Sequence, residues 1–489
     1  MNVTHLKRAT LLGAFSWTAG GTVLSYLLAL VRSIVVARLL YPADYGLFGL
    51  ATGVISALSV FTDFSFSSKI MVTVFSSEDE ERTALDTVWT VSLIRGALLS
   101  LLIIGCARPV ASWFRDDRLF TVLLVISAAS FLSGLENVGL VKFRKDLAFR
   151  ALVAQKQVAE VITFGATVVL AFWTRNYLAL VFSQVISSFV IVILSFWLCP
   201  YRPRITLDRD AFTKCFSFGK HLFVVGVLTF ITSQFDALAI GRFLGANAVG
   251  AYVLAYRLAM LPVDIMGRVL NSVLFPAYAK VRLTDPGGLA SIFAKLNAIG
   301  ATFVLLAVGP LALAPVDIIR VLYGDRWNQA GQLLTVLAFT GLFRALAHTV
   351  SPWLVAIGRP DLDAKCKMVE SVVFVGLTLF WVTRVGAIGA AWASLVSYSA
   401  AYLMRVILAV RLCPTAPALL ASLAQPLAAA VIALGAGAVL RVSGAPALVA
   451  VLVYLPVFVA ISYLTNAFFQ TEVKNAAHVL HRWIVPQEG

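Results

Sequence analysis

Residues Ala37–Ala51, ARLLYPADYGLFGLA, decide how this chain is read, because a degenerate copy stands at Gly241–Ala255, GRFLGANAVGAYVLA. Aligned, Arg38, Leu40, Gly46, Leu50 and Ala51 fall on Arg242, Leu244, Gly250, Leu254 and Ala255. In each copy an apolar run ends at an arginine, a short turn follows, and a second apolar run begins. This is the pattern of a helical hairpin that opens each half of a duplicated membrane protein.

The composition agrees with a membrane setting. Of 489 residues, 60% are apolar and only 13% charged, and the mean hydropathy is +0.90. So much hydrocarbon surface requires lipid as solvent, which makes the bilayer the first partner of the chain. The net charge of +15 would suggest nucleic acid in a soluble protein. Here it is explained by basic cytoplasmic loops, and no nucleic-acid partner is expected. The five cysteines, Cys106, Cys199, Cys215, Cys366 and Cys413, form no CxxC pair and have no metal-ligand spacing, so they read as reduced and structural. The N-terminus carries Lys7 and Arg8 before a long apolar run interrupted by Arg32, and reads as an uncleaved first span.

Windows of about 20 apolar residues bounded by charge, Pro or Gly give about fourteen spans. In the first half they lie near 15–37, 44–65, 86–107, 119–141, 151–173 and 177–198. In the second half they lie near 218–241, 248–272, 291–314, 330–352, 367–384 and 388–411, followed by two more near 418–440 and 445–467. Lys and Arg set the orientation. The clusters Lys142/Arg144/Lys145/Arg150 and Arg202/Arg204/Arg209/Lys214/Lys220 fall on one side, and mostly single arginines such as Arg38, Arg175 and Arg242 on the other. That bias puts both termini in the cytoplasm and the turn of the opening hairpin at the outer surface.

The duplication extends beyond the hairpin. Asp117–Arg118 corresponds to Asp325–Arg326, Arg144-Lys-Asp-Leu to Arg359-Pro-Asp-Leu, and Leu198–Cys199–Pro200 to Leu412–Cys413–Pro414. The order is preserved and each pair falls on the same side of the membrane. An even number of spans per half makes the repeats parallel. The expected fold is therefore an all-α integral membrane protein of about fourteen transmembrane helices, two parallel six-helix repeats plus two C-terminal helices. Its expected divisions are an N-terminal lobe at 1–200, a cytoplasmic linker at 201–217, a C-terminal lobe at 218–412, and two extra helices with a cytoplasmic tail at 413–489.

Charges inside spans carry the functional information, because an ion in hydrocarbon must find water, a partner or a ligand. Thr18, Ser25 and Arg32 share one face of the first span. Arg257, Asp264, Arg268 and Asn271 form a stripe on the eighth, with Pro262 able to kink the helix beside it. Gln234 and Asp236 lie on the seventh, and Thr340, Arg344, His348 and Ser351 along the tenth. Arg95, Glu136, Glu160 and Glu370 are placed in spans three, four, five and eleven. Arg32, Arg257, Arg268, Arg344 and Arg95 are candidates to line an anion cavity, since guanidinium groups grip phosphate oxygens bidentately and stay charged. The bland alternative is that acids neutralise them, for example Asp236 with Arg257 and Asp264 with Arg268. The carboxylates Asp236, Asp264, Glu136, Glu160 and Glu370 are candidates for coupling to a proton or sodium gradient or for plain ion pairs. His348 reads as a packing residue ahead of a proton carrier, and Gln234 and Asn271 as cavity polar groups. No catalytic or metal-binding motif appears, so the chain is expected to be a transporter and not an enzyme, without a cofactor.

The segment Arg242-x-Leu-Gly-x-x-x-x-Gly250-x-Tyr252-x-x-Ala255-Tyr256, preceded by Asp236 and followed by Pro262 and Phe275-Pro276, resembles the polysaccharide-transporter branch of the multidrug/oligosaccharidyl-lipid/polysaccharide exporter superfamily, the Wzx-type flippases. The Arg38–Gly46 copy and Asp63-Phe-x-Phe-Ser resemble the matching N-terminal part. The resemblance implies two six-helix bundles around a cationic cavity open alternately to either side. It implies a bacterial inner-membrane flippase that moves oligosaccharide linked to undecaprenyl diphosphate, for O-antigen, capsule or exopolysaccharide assembly. A polysaccharide polymerase and a chain-length regulator are the expected protein partners. By position, Arg32 and Arg257 match cavity arginines of related lipid II flippases, whereas span two has no mid-span arginine. The competing readings are a multidrug exporter of the same superfamily, and a membrane glycosyltransferase or O-antigen polymerase, which would carry a large periplasmic loop.

Overall fold

The computed structural model describes residues 8–62, 70, 73, 75, 77–145, 148–284, 289–412 and 416–465, and among them the regular structure is helical, with no strand. The chain divides into two compact units, Met1–Val253 and Leu254–Gly489. The first holds α1 (Arg8–Leu39), α2 (Pro42–Thr62), α3 (Glu78–Phe114), α4 (Arg118–Gly134), α5 (Leu140–Lys145), α6 (Phe149–Thr174), α7 (Leu178–Leu198), α8 (Arg209–Leu244) and the start of α9 (Ala246–Thr284). The second holds the rest of α9, α10 (Leu289–Leu313), α11 (Pro315–Tyr323), a 3₁₀ turn (Asp325–Trp327), α12 (Asn328–Ala356), α13 (Pro360–Val385), α14 (Ala387–Leu412), α15 (Ala416–Val442) and α16 (Ala447–Thr465).

Thirteen of the described helices are long and apolar enough to cross a membrane. The shorter apolar α4 has 17 residues, the lower limit for a hydrocarbon core of about 30 Å. These fourteen helices coincide with the fourteen spans expected from hydropathy. The short helices α5 and α11 are additional. The acidic run Glu78-Asp-Glu-Glu81, which hydropathy leaves between a solvated loop and the start of a span, is the first turn of α3. Ser77 caps it by accepting from the Glu80 N–H at 3.2 Å, and four carboxylates there favour the positive end of the helix dipole.

Both units repeat the same neighbour relations. In the first, α4 packs against α3 and α7, and α7 against α6; in the second, α12 packs against α10 and α14, and α14 against α13. These are the pairings that a duplication of spans three to six as nine to twelve requires. The added helices α15 and α16 pack on α10, where the Tyr454 hydroxyl donates to the Leu305 carbonyl at 2.7 Å.

Inside the first unit the two copies of the opening motif pack on each other. A Cβ placed on Gly46 would lie 1.7 Å from the Ala246 carbonyl oxygen, and one on Gly250 would lie 1.7 Å from the Pro42 carbonyl oxygen. The aligned glycines are thus the reciprocal points at which each hairpin admits the backbone of the other. Asp44 fastens the same corner, its carboxylate accepting from the N–H groups of Tyr41 at 2.9 Å and Tyr177 at 3.0 Å. We expect Gly250→Ala to destabilise the protein by at least about 1–3 kcal/mol, because backbone cannot yield as a side chain does. Gly105→Ala, at a site with open space around it, should leave the melting temperature unchanged; equal thermal melting of the two variants would contradict the packing argument.

The segment after α7 runs extended along α3. Its alternate N–H groups at Arg204, Thr206 and Asp208 donate to Asp86 at 2.9 Å, Thr90 at 3.0 Å and Thr87 at 3.2 Å. Asp86 also accepts from the Tyr201 hydroxyl. Burial, together with that carboxylate, pushes the Tyr201 pKa upward. In Asp86→Ala the strap loses two of its anchors. Trypsin cleavage at Arg204–Ile205 should then accelerate by about an order of magnitude, as local opening becomes easier, and an unchanged cleavage rate would show that the strap is held elsewhere.

Candidate functional site

Among the described residues of the second unit, an assembly of charged side chains joins α12, α13 and α14. Asp363, Lys367 and Glu370 follow one face of α13 at i, i+4 and i+7. Arg405 of α14 reaches across to them. Its guanidinium donates to Asp363 at 2.9 Å and to Glu370 at 3.2 Å, and Lys367 donates to the other Glu370 oxygen at 2.6 Å. Ser351 of α12 completes Asp363 at 2.8 Å. Arg405 and Glu370 retain only 4% and 3% of their surface, so each ion depends on its partner rather than on solvent.

Arg344 of α12 is held differently. Its guanidinium donates to the Tyr256 hydroxyl and, at 3.3 Å, to that of Tyr398, and lies 5.4 Å from the centre of the Tyr398 ring. Lys367 approaches the same ring at 5.8 Å. Arg344 therefore rests on neutral oxygens and a π face, while the carboxylates of α13 are occupied by Lys367 and Arg405. Arg344, Lys367 and Arg405 outnumber by one the carboxylates in direct contact, Asp363 and Glu370, while Asp264 of α9 acts on Arg344 at longer range.

Of the other expected residues in this unit, Arg257 and Asp264 are exposed on α9, and Arg257 shows no ion pair among the described residues of that unit. His348 packs against Gly267, where an added Cβ would lie 3.4 Å from its Nε2. The side chains of Arg268 and Asn271, and that of Thr18 in the first unit, lie outside the described residues.

The first unit holds the remaining candidates at separate places. Arg32 faces Glu160 at 3.7 Å, both half-buried. Asp236, 2% exposed, accepts from the Tyr252 hydroxyl at 2.6 Å and from the Ala237 N–H at 2.8 Å. Gln234 is half-buried facing Gly53 of α2. Arg95 and Glu136 line a common cavity. Glu136, placed by hydropathy inside span four, lies beyond the last residue of α4, Gly134, in the turn that Asn137 holds through Ser195 and Tyr201.

Sequence reading singles out Glu370 and Arg344 and passes over Asp363, Lys367, Arg405, Tyr256 and Tyr398, which the structure brings beside them. The i, i+4, i+7 spacing on α13 was the available signal; hydropathy instead left Lys367 at the edge of a basic loop. Arg405 had no such signal, since its partners are on another helix.

A family model described as "Polysaccharide biosynthesis protein" matches residues 35–332. The chain belongs to that family. It is 23% identical to the lipopolysaccharide biosynthesis protein WzxC of Escherichia coli over 78% of this chain and 77% of the relative. It is 22% identical to the succinoglycan biosynthesis transport protein ExoT of Rhizobium meliloti over 71% and 69%. The fold is that of the lipid II flippase MurJ in an inward closed conformation, with a TM-score of 0.72 at 14% identity, covering 93% of this chain and 98% of the other. The chain is a multi-pass membrane transporter, not an enzyme.

Removing Arg405 should be costly. In Arg405→Gln, Asp363 and Glu370 lose their shared cation, an expected destabilisation of about 3–5 kcal/mol. Arg441→Gln breaks the half-exposed pair to Asp317, 2.7 Å apart, and should cost about 1 kcal/mol or less. Thermal unfolding of both variants in one detergent checks the ordering.

Proposed function

We propose that this transporter flips an oligosaccharide linked to undecaprenyl diphosphate from the cytoplasmic to the periplasmic leaflet of the bacterial inner membrane, for O-antigen, capsule or exopolysaccharide assembly. The observation that carries the reading is Arg344, a permanent cation in a membrane helix whose hydrogen bonds go to two tyrosine hydroxyls. Such a guanidinium can exchange neutral oxygens for phosphate oxygens and gain a full charge pair. Arg257, exposed on α9, is the second cation proposed for the diphosphate. The names of the polysaccharide-biosynthesis relatives and the flippase fold support the same substrate class.

In the proposed cycle the sugars and diphosphate cross in a polar environment lined by arginines while the polyprenyl tail stays in lipid. Alternating access then spares the charges from hydrocarbon. Both termini face the cytoplasm, as the distribution of Lys and Arg favours. Polymerase and chain-length regulator would act on the delivered glycan.

Arg344→Ala should reduce glycan export at least about tenfold, the value of one lost charge-assisted contact, while membrane insertion stays normal. Arg344→Lys should retain part of the export. Export is read as surface polysaccharide in a strain that depends on this gene, with reconstituted flipping of lipid-linked oligosaccharide as the direct measurement. Wild-type export from Arg344→Ala and Arg257→Ala together would remove both residues from the site. Drug sensitivity on deletion, with glycan export intact, would favour a multidrug exporter.

A further inference from the structure

A cavity of about 240 Å³ opens in the first unit between α3, the end of α4 and α5. Its polar lining is Ser92 and Arg95 from α3, Ser133 from α4, Glu136 and Asn137 from the turn, and Arg144 from α5. Its origin is a close helix crossing. A Cβ on Gly134 would lie 2.6 Å from the Ser92 carbonyl oxygen, so α3 and α4 touch at Gly134, and the chain then turns away into α5.

The turn is held firmly. Asn137, 1% exposed, donates its side-chain amide to the Tyr201 carbonyl at 2.8 Å and its backbone N–H to Ser195 at 3.0 Å, and its side-chain oxygen accepts from the Gly139 N–H at 2.9 Å. Glu136 and Arg144 on either side of it are therefore carried by a fixed frame.

Charge and size select the ligand. On the outer side of α5, Lys142 and Lys145 pair with Glu81 at 3.1 and 3.8 Å. The cavity itself holds Arg95 and Arg144 against Glu136, a surplus of one positive charge. It lies beside the Lys/Arg cluster that marks the cytoplasmic end. At about 240 Å³ it is smaller than the roughly 300–1,000 Å³ of sites that enclose a whole drug-sized ligand. It suits a phosphate and its first ester atoms, not an oligosaccharide. Basic pockets between spans at the cytoplasmic side commonly take anionic headgroups.

We propose that this cavity is a site for a lipid phosphate from the cytoplasmic leaflet, with Arg95 and Arg144 on the phosphate oxygens; the Ser92 and Ser133 hydroxyls, which donate to the Val88 and Ser130 carbonyls at 2.8 and 2.7 Å, line its wall. Arg95 is thereby assigned to this site and not to the glycan diphosphate. Two lipids carry the required chemistry, an anionic phospholipid and a polyprenyl phosphate.

The test is native mass spectrometry of the delipidated full-length chain, titrated with phosphatidylglycerol, phosphatidylcholine or a polyprenyl phosphate. We expect one phosphatidylglycerol bound about tenfold more tightly than phosphatidylcholine, and about tenfold weaker binding in Arg95→Gln/Arg144→Gln. Glu136→Gln, which removes the opposing carboxylate, should bind several-fold more tightly. Competition by polyprenyl phosphate would identify the carrier lipid as the source; lack of competition would identify phospholipid. Equal binding of the two phospholipids, or unchanged binding in the double variant, overturns the site. Should the double variant not fold, absence of any gain in Glu136→Gln overturns it. Binding is read without transport, so this site and the glycan reading fail separately.

Discussion

An ion inside hydrocarbon has no water to fall back on, and the α12–α14 region is arranged around that constraint. Arg405 sits between Asp363 and Glu370, and Lys367 takes the remaining Glu370 oxygen. The closure of these partners decides the state of the residue left over. Were Glu370 available to Arg344, the two would form an inert pair and the helix would offer nothing to a ligand. Because Arg405 and Lys367 occupy the carboxylates, Arg344 has no carboxylate in direct contact among the described residues; its near partners are tyrosine oxygens and a ring face, with Glu370 and Asp264 acting on it at longer range. The structural ion pairs and the candidate ligand group are thus two outcomes of one allocation of charge.

The scaffold that carries these groups is built mostly from small residues and backbone contacts. At Gly46 and Gly250 the absence of a side chain lets two hairpins exchange backbone contacts, and at Gly134 it lets α3 and α4 cross. Dispersion between closely approaching helices is the main attraction available in lipid, where apolar burial yields little. Polar side chains then act as local fasteners. Asp44 holds two turns, and Asp86 with Thr87 and Thr90 holds the strap from Tyr201 to Asp208. These fasteners spend their hydrogen bonds on backbone and so are withdrawn from ligand chemistry, which narrows the functional candidates.

Helix number and placement were legible in the sequence because both follow from one quantity, the length of chain needed to cross the bilayer. The duplication was legible because it left arginine, glycine and proline at equivalent turns. The site was legible only in part. Arg344 and Glu370 stand out as charges within apolar runs, and the stripe at Arg257 and Asp264 was visible from spacing. Hydropathy could not show that Glu370 belongs to Arg405, 35 residues away, nor that Lys367 turns inward instead of joining the basic loop beside it. It extended span four past Gly134 because Leu135, Val138, Leu140 and Val141 are apolar, whereas the helix ends there and Asn137, bonded to Ser195 and Tyr201, holds the chain in a turn. Pairing across helices is a tertiary fact, and a one-dimensional pattern contains it only where a copy or a strict period repeats it.

The tyrosines around Arg344 bear on how a transporter differs from a binding protein. A site that only binds can hold its anion as tightly as geometry allows, but one that transports must also let go. An arginine left empty in a dry pocket would have to be resolvated or would retain the anion, and both slow the cycle. On the proposed reading, Tyr256 and Tyr398 supply replacement acceptors for the emptied guanidinium. The state without substrate is then also satisfied, and the anion's advantage is reduced to the difference between a charge-assisted pair and two neutral hydrogen bonds. A carboxylate in their place would make the empty state too stable to bind, and aliphatic side chains would make the filled state too stable to release. Hydroxyl oxygens lie between those limits, so the tyrosines matter to turnover as much as the arginine matters to recognition.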